Sequence, residues 1–191
     1  MNHHHFILYK PDGYLSQFVS QQTKRKNKKM LGELHDFPEE TMAIGRLDEP
    51  SEGLLLLTTH GKVSEHIRSN KVEKEYYAQV DGIIDNDAIE KLSSGIEIST
   101  NSGAYLTKPC SVMPLPETPS LPPRNKQIRD ERHGPTSWVS ITLAEGKFRQ
   151  VRKMTAAVGF PTLRLIRVRI GKITIDKMLP KDVINVPVLR T

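Results

Sequence analysis

The sequence predicts an α+β fold in which helices flank a mixed and mainly antiparallel sheet. Runs of strand length, either apolar or alternating, recur along its 191 residues, and stretches with helical periodicity lie between them. Turn dipeptides such as Asp81-Gly82 follow several of the runs, which is typical of antiparallel neighbours. A chain of this length can form one domain, or one domain in two halves, without disulfides.

The first part of the chain alternates strands with turns. The apolar run 54–57 lies between glycines and is short enough to favour a buried strand over a helix. Val63, Ile67 and His66 are the candidates for the inner face of a short helix. The polar stretch 20–32 lacks periodicity and is interpreted as a loop. The predicted strands are 5–9, 41–47 and 54–59, with a turn over 10–13, a loop over 48–53 and a helix over 62–70.

The second part combines strands, two helices and a long irregular segment. Asp85 is a suitable N-cap for the first helix, and Gly95 is a suitable end. Val151, Met154 and Val158 lie at helical spacing on one face of the second helix. Six prolines within 113–136 exclude regular structure there. The predicted strands are 74–80, 96–98, 138–143 and 163–170, and the predicted helices are 86–94 and 148–158.

Composition narrows the class of protein and its compartment. Cys110 is the only cysteine, so no disulfide can form within the chain, which fits a reducing compartment. The longest apolar run, 54–57, is far shorter than a membrane span. The N-terminal residues lack the pattern of a secretory signal. We therefore expect a cytoplasmic protein that does not associate with a membrane.

The positive charge of the chain is concentrated in one stretch. Residues 124–169 contain eleven Lys and Arg against three acidic residues, whereas the net charge of the whole chain is only +6. Such asymmetry is typical of a protein that binds a polyanion, although a solvated basic face has the same composition. Arg outnumbers Lys eight to three in this stretch. The ratio favours phosphate recognition, because a guanidinium binds phosphate oxygens bidentately.

The first candidate site is a loop rich in carboxylates, GRLDEPSEG, over 45–53. Asp48 follows a short predicted strand, and Arg46 lies two residues before it. An arginine that folds back can hold a carboxylate ionised, and an ionised Asp in a closed pocket can serve as a nucleophile or general base. Spacing alone also fits a simple turn, and it does not choose between Asp48, Glu49 and Glu52.

Two further stretches combine aromatic and basic residues. Lys74 and Tyr76 lie on one face of a predicted strand, where the tyrosine ring can stack on a nucleobase or belong to the core. The stretch EGKFRQVRKM over 145–154 places Arg149 and Arg152 on one face of a predicted helix. A helix N-terminus that follows a glycine favours phosphate, although an exposed basic helix has the same pattern.

These three motifs, in this order, resemble those of the RsuA-type family of ribosomal RNA pseudouridine synthases. The family's first motif corresponds to 45–59, its second to Lys74-x-Tyr76, and its third to 145–154. The segment 159–167 and the proline-rich loop are similar to the RluE branch of that family.

The resemblance implies the pseudouridine synthase fold, with two halves and a cleft between them. We expect a single catalytic domain over 1–191, with an N-terminal half at about 4–63 and a C-terminal half at about 64–187. No separate N-terminal RNA-binding module is expected.

The resemblance also implies an activity, the isomerisation of a uridine in ribosomal RNA, and in large-subunit RNA for the RluE branch. Asp48 would attack or deprotonate a flipped-out nucleotide, Tyr76 would stack on the uracil, and Arg152 would pair with Asp48. Arg46 would help to hold the flipped-out conformation. No cofactor and no metal are expected, and the protein is expected to act as a monomer. The expected RNA-binding residues are Arg46, Lys74, Lys147, Arg149, Lys153, Arg164 and Arg167.

The chain departs from the family pattern at three positions of the third motif. Lys147 and Phe148 stand where the family usually has Arg-Asn, and Lys153 stands where it usually has Arg. Charge is kept at both lysines but bidentate geometry is lost, which affects the expected RNA contacts rather than catalysis.

Three alternatives stay open: a non-catalytic RNA-binding factor for ribosome assembly, an RNA glycosidase that releases free uracil, and a synthase for small-subunit RNA or tRNA.

Overall fold

The protein, described by a computed structural model over residues 3–19, 28–69, 71–124 and 126–191, forms two compact units. The first unit comprises Met1–Val72 and Arg167–Thr191, and the second comprises Glu73–Ile166. This division differs from the expected halves at about 4–63 and 64–187, because the C-terminal residues return to the first unit.

The described residues contain thirteen strands, three α-helices and two short 3-10 helices. The strands are β1 His5–Lys10, β2 Tyr14–Leu15, β3 Lys29–Met30, β4 Met42–Ala43, β5 Glu52–Thr58, β6 Lys74–Asp81, β7 Glu97–Thr100, β8 Gly103–Leu106, β9 Ser111–Leu115, β10 Thr136–Leu143, β11 Thr162–Ile170, β12 Ile173–Thr174 and β13 Val183–Val186. The α-helices are α1 Gly61–Arg68, α2 Asn86–Ser94 and α3 Gln150–Ala157, and the 3-10 helices are Leu31–Glu33 and Glu131–His133. Within the described part of the chain, no helix has the length and apolar character needed to cross a membrane.

The core of the first unit is built on β5, which pairs antiparallel with β1 and β4. All seven residues of β5 are buried, as expected for a strand covered on both faces. The register with β1 runs from His5 opposite Thr58 to Lys10 opposite Gly53, and β13 pairs antiparallel with the other edge of β1. The buried strand predicted from the apolar run is therefore confirmed.

The second unit centres on β10, which pairs antiparallel with β6 and β9. Helices α2 and α3 bury Leu92 and Met154 in one cluster with Val139 of β10. Asp85 caps α2, because its Oδ1 accepts a hydrogen bond from the N–H of Ala88 at 2.8 Å. Gly95 ends the helix with a φ of +100°. Both predicted boundaries of α2 are confirmed.

The proline-rich segment 113–136 contains more regular structure than predicted. Pro114 lies within β9, opposite Val139 of β10. β9 is the last strand in the order of its sheet, so a residue without an N–H is tolerated there. A 3-10 turn lies over Glu131–His133, and β10 begins at Thr136. The prediction that prolines exclude regular structure is therefore wrong at both ends of this segment.

Several short elements also differ from prediction. The strand expected over 41–47 is reduced to β4, because Gly45 takes a φ of +73° and leaves the extended conformation. β3 and a 3-10 turn occupy the end of the loop expected over 20–32, and residues 20–27 lie outside the described part. His66 is exposed on α1, whereas Ile67 is buried as predicted. β12 and β13 are too short for a periodic pattern to predict.

Replacing Asp85 with Ala should destabilise the protein by about 1 kcal/mol, because the first turn of α2 loses its capping acceptor. Asp87→Ala is a matched control in the same turn. Its carboxylate forms an exposed pair with Lys91 at 2.6 Å, and such pairs contribute about 0.5 kcal/mol or less. Urea denaturation followed by circular dichroism measures both changes. Equal losses for the two variants would contradict the capping role.

Candidate active site

Asp48 lies on the loop between β4 and β5, where side-chain and backbone hydrogen bonds fix the chain on both sides of it. Ser16 Oγ donates to the carbonyl oxygen of Leu47 at 2.8 Å and accepts from the N–H of Leu47 at 2.9 Å. The N–H of Ser51 donates to the carbonyl oxygen of Asp48 at 3.0 Å. Asp48 is half-buried, so the loop holds a partly accessible carboxylate at a defined place in the first unit.

A buried lysine completes the support of this loop. Lys10 is 0% exposed, and its ammonium donates to the carbonyl oxygens of Ser51 at 2.7 Å, Pro11 at 3.0 Å and Glu49 at 3.2 Å. Three acceptors match the three donors of an ammonium group. Burial lowers the pKa of Lys10 to about 7, against the attraction of nearby carboxylates that include Asp48. Lys10 therefore links the end of β1 to Glu49 and Ser51, which follow Asp48 on the loop.

The three carboxylates between which the sequence did not choose have different environments. The carboxylate of Glu49 accepts a hydrogen bond from Lys28 Nζ at 2.6 Å. Glu52 belongs to β5, where its side chain is buried with 2% exposure. Asp48 is half-buried on the loop itself. Burial therefore removes Glu52 from the candidates, whereas Asp48 and Glu49 are both half-buried and exposure does not choose between them.

Two arginines that were expected to hold phosphates are buried. Arg164 is 8% exposed and donates from Nη2 to the carbonyl oxygen of Pro122 at 2.8 Å. Arg167 is 4% exposed and donates from Nε to the carbonyl oxygen of Leu54 at 2.7 Å. We therefore assign both a structural role in place of the predicted phosphate contacts. Arg46, in contrast, is exposed on the loop that carries Asp48.

In the second unit, the pairing of β6 with β10 sets the positions of Lys74 and Tyr76. Lys74 lies opposite Leu143, and its Nζ donates to the carbonyl oxygen of Ala144 at 3.3 Å. The second motif therefore adjoins the start of the third. Tyr76 is half-buried and packs against the core cluster of the unit, so the core supports its ring.

A buried carboxylate, Glu145, organises the turn before α3. It is 4% exposed and accepts hydrogen bonds from the hydroxyl of Tyr105 at 2.5 Å, Gln150 Nε2 at 2.6 Å and the N–H of Lys108 at 2.9 Å. Gln150 Oε1 in turn accepts from the N–H of Lys147 at 2.8 Å. Burial alone would raise the pKa of Glu145, but the three donors together lower it. The network therefore contains an ionised carboxylate whose donors fix the backbone of the turn.

Arg149 adopts a left-handed conformation at the end of this turn, with a φ of +53°. For this reason α3 begins at Gln150 rather than at Phe148. Only Arg152 of the two predicted arginines lies within the helix, so the helical face that they were predicted to share is absent. Arg149 and Lys147 are both exposed. The turn, rather than the helix, therefore presents the first cations of the motif.

The basic side chains of α3 make contacts within the second unit. Arg152 Nη1 donates to the carbonyl oxygen of Thr162 at 3.2 Å. Lys153 Nζ donates to the carbonyl oxygen of Ser99 in β7 at 2.6 Å. Both side chains are half-buried, so the unit restricts their conformations.

A sequence model of the family described as RNA pseudouridylate synthase matches residues 4–157, a span that includes Asp48, Tyr76 and Arg152. The chain belongs to this family. It is therefore an isomerase of the RNA pseudouridylate synthase class, and the resemblance drawn from the three motifs is confirmed.

Relatives cover most of this pseudouridylate synthase. A protein of Xanthomonas campestris named ribosomal large subunit pseudouridine synthase E is 40% identical over 176 residues, which are 91% of this chain and 90% of the relative. A protein of the same name from Vibrio parahaemolyticus is 38% identical over 176 residues, or 91% and 70%. A crystal structure of a pseudouridylate synthase has a TM-score of 0.74 at 24% identity, over 96% of this chain and 70% of that one. The α+β fold of the family is confirmed.

Sequence reasoning did not identify the residues that support the Asp48 loop and the turn before α3 of this synthase. Ser16 and Lys10 fix the Asp48 loop, whereas Glu145 and Gln150 fix the turn before α3. One signal was available for Lys10, which ends an apolar strand at a position that the strand pairing buries. A serine or glutamine that bonds to a distant main-chain group carries no comparable signal.

Replacing Lys10 with Met should change how stability depends on pH. The pKa of Lys10 is about 7 in the folded protein, whereas in the unfolded chain the pKa has its ordinary value of 10.5. The unfolded chain therefore binds more protons between these values, and stability rises with pH in that window. Relative to Lys10→Met, the wild type should gain about 1 kcal/mol per pH unit.

Urea denaturation of both proteins at a series of pH values from about 6 to about 9 measures this difference. All other titrating groups are common to the two proteins, so their contributions cancel. A difference in unfolding free energy that does not change with pH would show that Lys10 keeps its proton throughout the range.

Proposed function

We propose that the protein converts one uridine of large-subunit ribosomal RNA to pseudouridine, with Asp48 as the catalytic carboxylate. The observation that carries the proposal is the Asp48 loop. Hydrogen bonds from Ser16 and Lys10 fix its backbone, and Asp48 itself is partly accessible. Such preorganisation is what a nucleophile or general base requires. The names of the relatives, which cover most of the chain, support the large-subunit substrate.

The reaction needs one group to act on a nucleotide and no net oxidation or reduction. The bond between the uracil nitrogen and the ribose breaks, the base rotates, and a ring carbon of the same base rejoins the ribose. The target nucleotide has to leave its stack before a carboxylate can reach it. An ionised Asp48 could attack either the sugar or the base, and both routes fit a nucleophile held on a fixed loop.

Three other residues have proposed roles around the flipped nucleotide. Tyr76 would stack on the uracil, a role that suits a ring supported by the core of its unit. Arg46, exposed on the same loop as Asp48, would help to hold the nucleotide out of its stack. The pairing of Arg152 with Asp48 stays a prediction, as do the expected monomeric state and cytoplasmic location.

The turn before α3 is the proposed contact for the RNA backbone. Lys147 and Arg149 are exposed on it, and Lys153 follows on the first turns of the helix. The Glu145 network fixes the turn, so these cations meet phosphates with little loss of backbone freedom. Lys74, which bonds to the carbonyl of Ala144, would belong to the same contact.

Asp48→Asn should reduce pseudouridine formation by at least about 100-fold, because an amide is neither a nucleophile nor a base. RNA binding should change little. Glu49→Gln is the matched control, since it makes the same chemical change at the neighbouring residue, whose carboxylate pairs with Lys28. The measurement is a mass-spectrometric map of pseudouridine in unmodified large-subunit RNA incubated with each protein.

The outcomes separate the proposal from its alternatives. Turnover by Asp48→Asn near that of the wild type would contradict the assignment of the carboxylate. Release of free uracil would indicate a glycosidase. Tight binding without modification of large-subunit RNA, small-subunit RNA, tRNA or precursor particles would favour an assembly factor.

Arg149→Ala should weaken RNA binding and flatten its salt dependence, because one phosphate contact is lost. The slope of log K against log salt should fall by about 0.7 to 0.9. Arg190→Ala removes an exposed arginine outside the basic stretch and serves as the control. Fluorescence anisotropy with labelled RNA at several salt concentrations measures both slopes. An unchanged slope for Arg149→Ala would remove Arg149 from the phosphate contact.

A further inference from the structure

Phe148 is a large aromatic side chain exposed at the tip of the turn before α3. It is 66% exposed, and it lies between two exposed cations, Lys147 and Arg149. Burying a phenylalanine side chain would contribute about 2 kcal/mol to folding, and the fold forgoes most of that contribution here. None of the roles described above uses this ring.

The turn holds the ring outward. Gln150 Oε1 accepts from the N–H of Lys147 at 2.8 Å, and the N–H of Gln150 donates to the carbonyl oxygen of Lys147 at 3.1 Å. The N–H of Lys153 donates to the carbonyl oxygen of Arg149 at 3.0 Å. The backbone is therefore bonded on both sides of Phe148, and these hydrogen bonds fix the direction in which the side chain leaves the turn.

The surroundings of the ring favour one class of ligand. Lys153 Nζ lies 5.4 Å from the ring centroid, and no Asp or Glu occurs between residues 146 and 175. An apolar protein partner would have to desolvate the exposed cation of Lys147, which is costly unless the partner supplies an opposite charge. A nucleic acid satisfies both kinds of group, because its bases stack on aromatic rings and its phosphates pair with cations.

We propose that Phe148 stacks on an unpaired nucleobase of the substrate RNA, at a position other than the target uridine, and so contributes to substrate specificity. This inference rests on the proposed function, because it concerns the same RNA. Phosphate contacts by Lys147 and Arg149 carry little sequence information, whereas a stacked base requires a single-stranded position at a fixed distance from the target. The ring would therefore select RNA structure where the cations select only charge.

Binding of the substrate RNA fragment, measured in an Asp48→Asn background to prevent turnover, tests the stack. Phe148→Ala and Phe148→Leu should each weaken binding by about 5- to 150-fold, the range for losing one base–aromatic contact. Phe148→Leu keeps an apolar side chain but has no ring, whereas Phe148→Trp keeps a ring and should keep the affinity. The salt slope should stay unchanged in all three variants, since no charge is removed.

Abasic substitution along the fragment identifies the partner base. One abasic position should weaken binding to the parent protein, in which Phe148 is intact. The same abasic position should not weaken the binding of Phe148→Ala any further. With Asp48 restored, the substitution Phe148→Ala should raise KM and leave kcat at saturating RNA nearly unchanged. Ile83→Ala, which removes a side chain that is 62% exposed in the same unit, controls for a general loss of surface hydrophobicity.

Equal binding by Phe148→Ala and the parent protein would overturn the inference. So would a result in which each abasic substitution weakens binding by the same factor in the parent protein and in Phe148→Ala. Full affinity for Phe148→Leu would show that the ring itself is not used, which also overturns it. Failure of the proposed function has a different signature, since the protein with Asp48 and Phe148 intact would then form no pseudouridine in the RNA. In that case both the proposed function and this inference would be wrong.

Discussion

The ammonium of Lys10 fixes the loop that carries Asp48, because it binds main-chain carbonyls on two separate stretches of the first unit. Its acceptors are Pro11, which follows β1, and Glu49 and Ser51, which follow Asp48. Loop backbone lacks the ladder of hydrogen bonds that a sheet provides, and buried carbonyls without donors are costly. A single buried cation satisfies three of them at once. The position of Asp48, the proposed catalytic carboxylate, therefore depends on a residue that is not expected to touch the RNA.

The second unit uses the same principle with the opposite charge. Glu145 accepts from Tyr105, Lys108 and Gln150, and this network fixes the turn that exposes Lys147. A buried anion close to the proposed RNA contact opposes the binding of another anion, and the fixed geometry of the turn has to offset this repulsion. Arginines act in a similar way on the proline-rich segment. Arg129 binds Asp81 through both terminal nitrogens, at 3.0 Å and 2.5 Å, and anchors a chain that has little regular structure.

Local patterns were sufficient to predict the features whose causes lie in neighbouring residues. The apolar run of β5 and the cap and end of α2 belong to this group, because their signals lie in neighbouring residues. The supports of the site could not be predicted in the same way. Lys10 bonds to the carbonyl of Ser51, 41 residues away, and a carbonyl oxygen has no signature in sequence. The sequence likewise did not show that the fold covers Arg164 and Arg167 of β11. Both were predicted to meet phosphate, whereas both donate to main-chain carbonyls.

The first unit is discontinuous in sequence, with the whole second unit inserted between Val72 and Arg167. Strand β1 accordingly pairs with β13, which lies close to the opposite end of the chain. A ribosome makes the chain from its N-terminus, and domains tend to fold as they emerge. The inserted unit is therefore complete before the first strand meets its last partner. Nascent β1 has an unpaired edge during that interval, because β13 is made only after the whole second unit.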